Sequence, residues 1–158
     1  MPRHSKAAVV ARSLVVAGAV VVVDQLTKVL ILNSLSPGRS EQILPGFSLS
    51  LVHNRGVAFG LFPEHGSIVT VATLLCLTTL LTYFLIRYQH PALWVAVGLV
   101  IGGSLGNLVD RARTGAVIDF LKLPIWPTFN VADVAIVAGI CFLLYAAEAS
   151  GAKNHVSS

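Results

Sequence analysis

The stretch ALWVAVGLVIGGSLGNLV, residues 92–109, carries no charged side chain and is the clearest indicator of the fold. At 1.5 Å per residue, a helix of this length covers most of a hydrocarbon core that is about 30 Å thick. Three other apolar stretches have similar lengths. We therefore predict four transmembrane helices at about residues 13–32, 68–86, 92–109 and 131–147.

The composition supports a membrane protein with a single domain. The chain has 158 residues, of which 55% are hydrophobic and 11% charged, whereas a soluble domain carries about 25% charged residues. Four spans of roughly 20 residues each leave only short connections. We expect one integral membrane domain over residues 1–158, all-α apart from features of its loops.

The net charge of +4 does not indicate nucleic-acid binding, because the basic residues are scattered singly along the chain. Cys76 and Cys141 both lie within apolar stretches, as buried small residues do. His53 and His65 have no carboxylate or cysteine at a metal-binding spacing. We expect no nucleic-acid partner, no disulfide, no metal and no cofactor.

The N-terminus has two interpretations. Arg3, Lys6 and Arg12 precede an apolar stretch, as in a secretory signal peptide. However, apolar character resumes after Lys28, and Asp24 lies where small residues would mark a cleavage site. We expect a retained first helix.

The predicted topology places both termini in the cytoplasm. An even number of spans puts the termini on one side, and basic residues before the first helix favour the cytoplasmic side. The loops 33–67 and 110–130 are then extracytoplasmic, although they also hold basic residues: Arg39, Arg55, Arg111, Arg113 and Lys122. We keep the orientation because the first helix usually dominates.

The loop 33–67 is long enough to be structured. Residues 42–52 have turn residues and then alternate apolar with polar residues, which predicts a half-buried strand. Residues 56–62 are typical of a short amphipathic surface helix.

Asp119 and Asp133 each lie at the edge of an apolar stretch, and acids in such positions usually mark functional sites. Asp133 has a structural alternative, because Asn130 is a good N-cap residue and an acid at the third helical position complements the helix dipole. Asp119 lies between Ile118 and Phe120 and has no such explanation.

If the two aspartates converge, one of them holds a proton, because two close carboxylates do not both ionise readily. The ionised acid can take a proton from water while the protonated acid polarises a carbonyl group. This is the chemistry of aspartic peptidases. No sequence motif supports a serine or cysteine nucleophile.

Other residues within the apolar stretches or in the loops next to them also have structural interpretations. Asp24 and Lys28 have the i, i+4 spacing of an ion pair within a helix. Gly102 and Gly106 allow close helix packing, and Asp110 and Arg111 can form an interfacial ion pair. Asn54 and Arg55 suit either a turn or a contact with substrate or lipid.

Two other classes of protein compete with the peptidase. A small proton-coupled membrane transporter would use acids as proton relays, but it would also need polar residues along a transmembrane path. A helix-packing scaffold explains the glycines and the N-cap but leaves Asp119 unexplained.

Five ordered motifs resemble the lipoprotein signal peptidases, also called signal peptidase II, which are membrane aspartyl peptidases of bacteria. They are DQLTK at residues 24–28, NRGVAFG at 54–60, GGSLGNLVDR at 102–111, GAVIDF at 115–120 and FNVAD at 129–133. The chain departs from the family at Val57, where alanine is common.

The resemblance implies that Asp119 and Asp133 are the catalytic pair. It further implies an extracytoplasmic β-cradle, a surface helix and an active site near the extracytoplasmic face of the bacterial inner membrane. The implied substrate is a diacylglyceryl-modified prolipoprotein, cleaved before its lipidated cysteine; membrane lipids are the other expected partners of a monomer. The supporting residues would be Asn54, Asn107, Arg111, Asn130, Asp24, Lys28 and Asp110.

Overall fold

The computed structural model describes residues 6–55, 79 and 93–155, with elements numbered here among those residues. The helices are α1 (Lys6–Ser34), α2 (Leu93–Thr114) and α3 (Val131–His155). The strands are β1 (Ser40–Leu44), β2 (Phe47–Asn54), β3 (Val117–Leu123) and β4 (Trp126–Phe129). The predicted span at residues 68–86, the predicted surface helix at 56–62 and Val57 lie outside the described residues.

Two described helices, over Ala7–Ser34 and Leu93–Thr114, are long and apolar enough to cross a membrane. A shorter apolar helix covers Val131–Ala146. These three agree in position with predicted spans, but α1 begins earlier and α2 ends later than predicted. The reason is that the predicted ends followed apolar content, whereas backbone hydrogen bonds continue into the polar flanks.

Glycines allow α2 to pack closely against both other described helices. A Cβ atom on Gly102 would lie 2.7 Å from the carbonyl oxygen of Ala17 in α1. On the other side of α2, a Cβ atom on Gly103 would collide with the carbonyl oxygen of Ala132 in α3. The predicted packing role of the small residues in α2 is thus confirmed.

The four strands form one antiparallel sheet in the order β1-β2-β3-β4. The strand predicted within residues 42–52 is confirmed. The loop 110–130 also contains strands β3 and β4, which no alternating pattern had indicated. The predicted fold class, all-α, therefore holds only for the helices. The fold of the described residues combines apolar helices with a four-stranded sheet.

The sheet packs on the C-terminal end of α1. Its core joins Ile31 of α1 and Leu35, which directly follows α1, to Leu51, Ile118 and Phe120 of the sheet. Because side chains alternate along a strand, Asp119 lies between two core residues and points to the opposite face. The sheet thus positions Asp119 at the end of the helices.

Candidate active site

Asp119 is held on β3 by two asparagine side chains. It is 2% exposed; its Oδ2 accepts a hydrogen bond of 3.0 Å from Asn54 Nδ2, and its Oδ1 accepts one of 2.8 Å from Asn130 Nδ2. Burial raises the pKa of Asp119 to about 7; the hydrogen bond from Asn54 opposes the rise, and the charge of Asp133 adds to it. Asp119 can therefore exchange a proton near neutral pH.

Asp133 lies in the first turn of α3 and forms a reciprocal cap with Asn130. The Asp133 backbone N–H donates to Asn130 Oδ1 at 2.9 Å, and the Asn130 backbone N–H donates to Asp133 Oδ2 at 3.2 Å. The predicted capping role is confirmed. The cap uses only Oδ2 of the carboxylate, and Oδ1 accepts a hydrogen bond of 2.8 Å from Asn107 Nδ2.

Asn130 connects the two aspartates directly. It is fully buried, and its Nδ2 donates both to Asp119 Oδ1 and, at 3.0 Å, to Asn107 Oδ1. Since Asn107 in turn donates to Asp133, a continuous chain of hydrogen bonds joins the two carboxylates. The structure thus brings the two predicted catalytic residues into one network.

Lys28 is the centre of a buried ion cluster beside this network. Its Nζ lies 2.7 Å from Asp24 Oδ2 and 2.7 Å from Asp110 Oδ2, and it donates to Asn107 Oδ1 at 3.3 Å. The predicted pair of Asp24 and Lys28 is confirmed. Asp110 forms its salt bridge with Lys28 of α1 and not with its sequence neighbour Arg111, since consecutive helical residues do not face each other.

Both acids of the ion cluster reach the backbone next to the candidate catalytic residues. Asp24 Oδ1 accepts a hydrogen bond of 3.0 Å from the backbone N–H of Ala132, one residue before Asp133. Asp110 Oδ2 accepts one of 3.1 Å from the backbone N–H of Ile118, one residue before Asp119. The cluster therefore ties the segments carrying both aspartates to α1 and α2.

Gln25 also belongs to the cluster, although its sequence context predicted no role for it. Its Nε2 donates to Asp110 Oδ1 at 2.9 Å, and its Oε1 accepts a hydrogen bond of 3.2 Å from Arg113. Its position within the polar motif of residues 24–28 was the available signal. A glutamine both donates and accepts, so Gln25 joins an acid to an exposed base.

Arg111 is half-buried and interacts electrostatically with three acids: Asp133, Asp119 and Asp110. Every predicted site residue therefore lies in the network or beside it. Within the part of the chain that the structure describes, no three His, Cys, Asp or Glu side chains are arranged to hold a metal ion.

Two solved structures have the same fold. Both are described as bacterial membrane enzymes studied by the in meso method, one at 2.3 Å and one at 1.9 Å resolution. The first has a TM-score of 0.82 and 29% identity, covering 91% of this chain and 92% of that chain. The second has a TM-score of 0.78 and 30% identity, covering 87% and 92%. The fold is therefore that of a membrane enzyme.

The sequence comparisons specify the family. The profile described as Signal peptidase (SPase) II matches residues 16–148. The lipoprotein signal peptidase of Parasynechococcus marenigrum is 49% identical over 82% of this chain and 84% of its own length. That of Pelotomaculum thermopropionicum is 43% identical over 84% and 88%.

This chain belongs to the signal peptidase II family and is a peptidase. The family resemblance inferred from the five sequence motifs is thereby confirmed, and the transporter and scaffold alternatives are not supported.

Proposed function

We propose that this protein removes the signal peptide from diacylglyceryl-modified prolipoproteins by hydrolysing the peptide bond before the lipidated cysteine. Its relatives are named lipoprotein signal peptidases. The observation that carries the assignment to particular residues is the position of Asn130, which bonds Asp119 through its side chain and Asp133 through its reciprocal cap.

In the proposed mechanism, Asp119 and Asp133 share one proton. The ionised carboxylate takes a proton from water, whose oxygen attacks the scissile carbonyl carbon, while the protonated acid donates to the carbonyl oxygen. The tetrahedral intermediate then collapses: the leaving nitrogen takes the proton that the first carboxylate removed from water, and the carbon–nitrogen bond breaks. A hydroxyl proton of the intermediate returns to the second acid, which restores the pair with one proton. This sequence needs neither a metal nor a covalent enzyme intermediate.

The asparagines serve this mechanism by fixing the carboxylates. Asn54 and Asn130 donate to different oxygens of Asp119, so the plane of its carboxyl group is defined. Asn107 donates to Oδ1 of Asp133, the carboxylate oxygen that the cap does not use, and so holds that carboxylate as well. Such preorganisation lowers the barrier because the reacting groups do not reorient during the reaction.

We further propose four transmembrane spans in the bacterial inner membrane, with both termini cytoplasmic and the active site near the extracytoplasmic face. A substrate anchored by acyl chains remains in the bilayer, so a site at the membrane boundary can receive the lipid laterally while the peptide meets water. Binding of the acyl chains would help to position the scissile bond. Because one chain supplies both aspartates and the asparagines around them, the proposed unit is a monomer.

The decisive experiment replaces Asp119 or Asp133 with Asn and follows cleavage of a diacylglyceryl-modified prolipoprotein by the membrane-inserted enzyme. Each variant should lose at least about 100-fold in rate, since a positioned acid or base contributes about 10²–10⁴. Glu41→Gln, at an exposed acid on β1, is the matched control and should cleave normally. Near-normal cleavage by either aspartate variant would rule out the pair.

A further inference from the structure

A valine lies directly opposite Asp119 in the sheet. In the antiparallel pairing of β2 with β3, Val52 is the register partner of Asp119. Directly opposed residues carry their side chains on the same face, with Cβ atoms about 4.5–5.5 Å apart. Asn54, two residues further along β2, shares that face and donates a hydrogen bond to Asp119. Val52 is therefore an immediate neighbour of the candidate catalytic carboxylate.

A bulge in β2 produces this register. Leu49 pairs with Leu121, but the pairing shifts before Val52, so that β2 contains one residue more than β3 over this interval. Without the extra residue, Leu51 would lie opposite Asp119. With it, Leu51 is buried in the core of the sheet and Val52 points to the face of the acid. Bulges next to active sites often redirect a side chain in this way.

Val52 is far more exposed than the acid that it faces. Asp119 is 2% exposed, and its two oxygens accept hydrogen bonds from Asn54 and Asn130. Val52 is 38% exposed. Binding sites are lined mainly by apolar side chains around a few fixed polar groups, and Val52 beside Asp119 has this arrangement. A peptide that reaches Asp119 on this side therefore meets the methyl groups of Val52.

We propose that Val52 determines specificity by limiting the size of the substrate side chain that precedes the scissile bond. This inference rests on the proposed function. The carbonyl group that is attacked belongs to that substrate residue, whose Cβ atom is only two covalent bonds from the reacting carbon. Valine is branched at Cβ and has few rotamers, so the surface that it presents does not yield to a larger side chain.

The test compares the wild-type enzyme with Val52→Ala, each as the full chain in membranes, on two diacylglyceryl-modified prolipoproteins. The substrates differ only in the residue before the lipidated cysteine, which is alanine in one and leucine in the other. Val52→Ala should raise the ratio of kcat/KM for the leucine substrate to that for the alanine substrate by at least about 10-fold, because one methylene in a pocket is worth that much. A gain of activity on one substrate does not arise from misfolding.

A larger side chain at the same position should have the opposite effect. Val52→Leu should slow cleavage of the alanine substrate relative to a glycine substrate by roughly 10-fold. Leu44→Ala is the control, because Leu44 is an exposed apolar residue of β1 that is 62% exposed. It should leave both ratios at their wild-type values.

The proposal is overturned if Val52→Ala cleaves the alanine substrate normally and the ratio for leucine is unchanged. It is also overturned if the wild-type enzyme cleaves both substrates equally well, or if Val52→Ala alters only the response to the length of the acyl chains, which would place Val52 against the lipid. Failure of the wild-type enzyme to cleave any diacylglyceryl-modified prolipoprotein is a separate result: it would refute the proposed function and this inference with it.

Discussion

Asn130 and Asp133 cap each other at the first turn of α3, each donating its backbone N–H to the side chain of the other. Capping and a catalytic role for Asp133 were alternatives in the sequence, but the geometry makes them compatible. The cap fixes one carboxylate oxygen at the helix N-terminus, while the Asn130 amide group reaches across to Asp119. One asparagine can thus set the positions of both acids.

The two functions of Asn130 can be separated by comparing Asn130→Ser with Asn130→Ala. Serine is as good an N-cap as asparagine, whereas alanine loses about 1 kcal/mol in the free energy of unfolding. Both variants lack the Nδ2 donor to Asp119, so both should lose about 100-fold in cleavage rate, as misplacement of a catalytic group costs. Thermal unfolding in detergent and prolipoprotein cleavage are the two measurements. Wild-type cleavage by Asn130→Ser would show that the amide does not orient Asp119.

The pH dependence of cleavage should report Asp119. If the pair works with one shared proton, activity falls as the pH rises through the pKa of Asp119, which burial raises to about 7. Asn54→Ala removes a hydrogen bond that favours the ionised form, so the pKa rises further and the alkaline limb moves upward. We expect the alkaline limb to shift by up to about one pH unit. A shift of that size corresponds to about 1.4 kcal/mol of preferential stabilisation of the ionised carboxylate by Asn54.

A histidine control identifies the group that titrates in this profile. His53 neighbours Asn54 on β2 and is the matched residue for this control. His53→Gln should leave the alkaline limb in place. A downward shift in Asn54→Ala, or loss of the limb in His53→Gln, would contradict the assignment to Asp119.

Lys28 should be essential for stability because it neutralises two buried acids. Lys28→Met would leave Asp24 and Asp110 without their counter-ion, and breaking a buried pair costs about 3–5 kcal/mol in the free energy of unfolding. Arg113→Gln is the control, since Arg113 is exposed and such changes stay within about 0.5 kcal/mol. Chemical denaturation in micelles measures both. Equal stability of the two variants would mean that the cluster contributes little to the folded state.

Local spacing made part of this site predictable. The pair of Asp24 and Lys28 follows from the i, i+4 geometry of a helix, and the cap of Asp133 follows from the three-residue spacing to Asn130. The apolar stretches likewise gave the positions of the described helices. In each case, the interacting groups are close in sequence, so the regular geometry of one element determines the contact.

The contacts between distant segments were not predictable from the residue pattern. Strand β3 has the sequence VIDFLKL, and its first four residues are all buried, so it shows no polar–apolar alternation. The partner of Asp110 lies on another helix, while its sequence neighbour Arg111 lies in a different direction around α2. The packing of α2 against α1 determines which residue pairs with Asp110. In the sequence, only the glycines of residues 102–106 indicated that this packing is close.

Gly106 links helix packing to the site and gives the last prediction. A Cβ atom there would lie 2.7 Å from Asp24 Oδ2, and Asp24 has little freedom to move because it binds both Lys28 Nζ and the Ala132 backbone N–H. Gly106→Ala should therefore cost about 1–3 kcal/mol in the free energy of unfolding, as overpacking does. It should also slow cleavage, because moving Asp24 displaces the start of α3 and with it Asp133.

Gly18→Ala is the matched control for Gly106→Ala. Gly18 also lies within an apolar helix, but among the residues that the structure describes no atom outside the neighbouring turns of α1 lies within 4 Å of a Cβ placed there. Alanine in a helix interior is favoured over glycine by roughly 0.5–1 kcal/mol, so Gly18→Ala should be as stable as the parent or more stable, with normal cleavage. If thermal unfolding shows a loss of stability in Gly106→Ala and a gain in Gly18→Ala, the loss at residue 106 is explained by a steric clash with Asp24. If both variants gained stability, the space around Asp24 would not limit residue 106, and the proposed coupling between this glycine and Asp133 would be wrong.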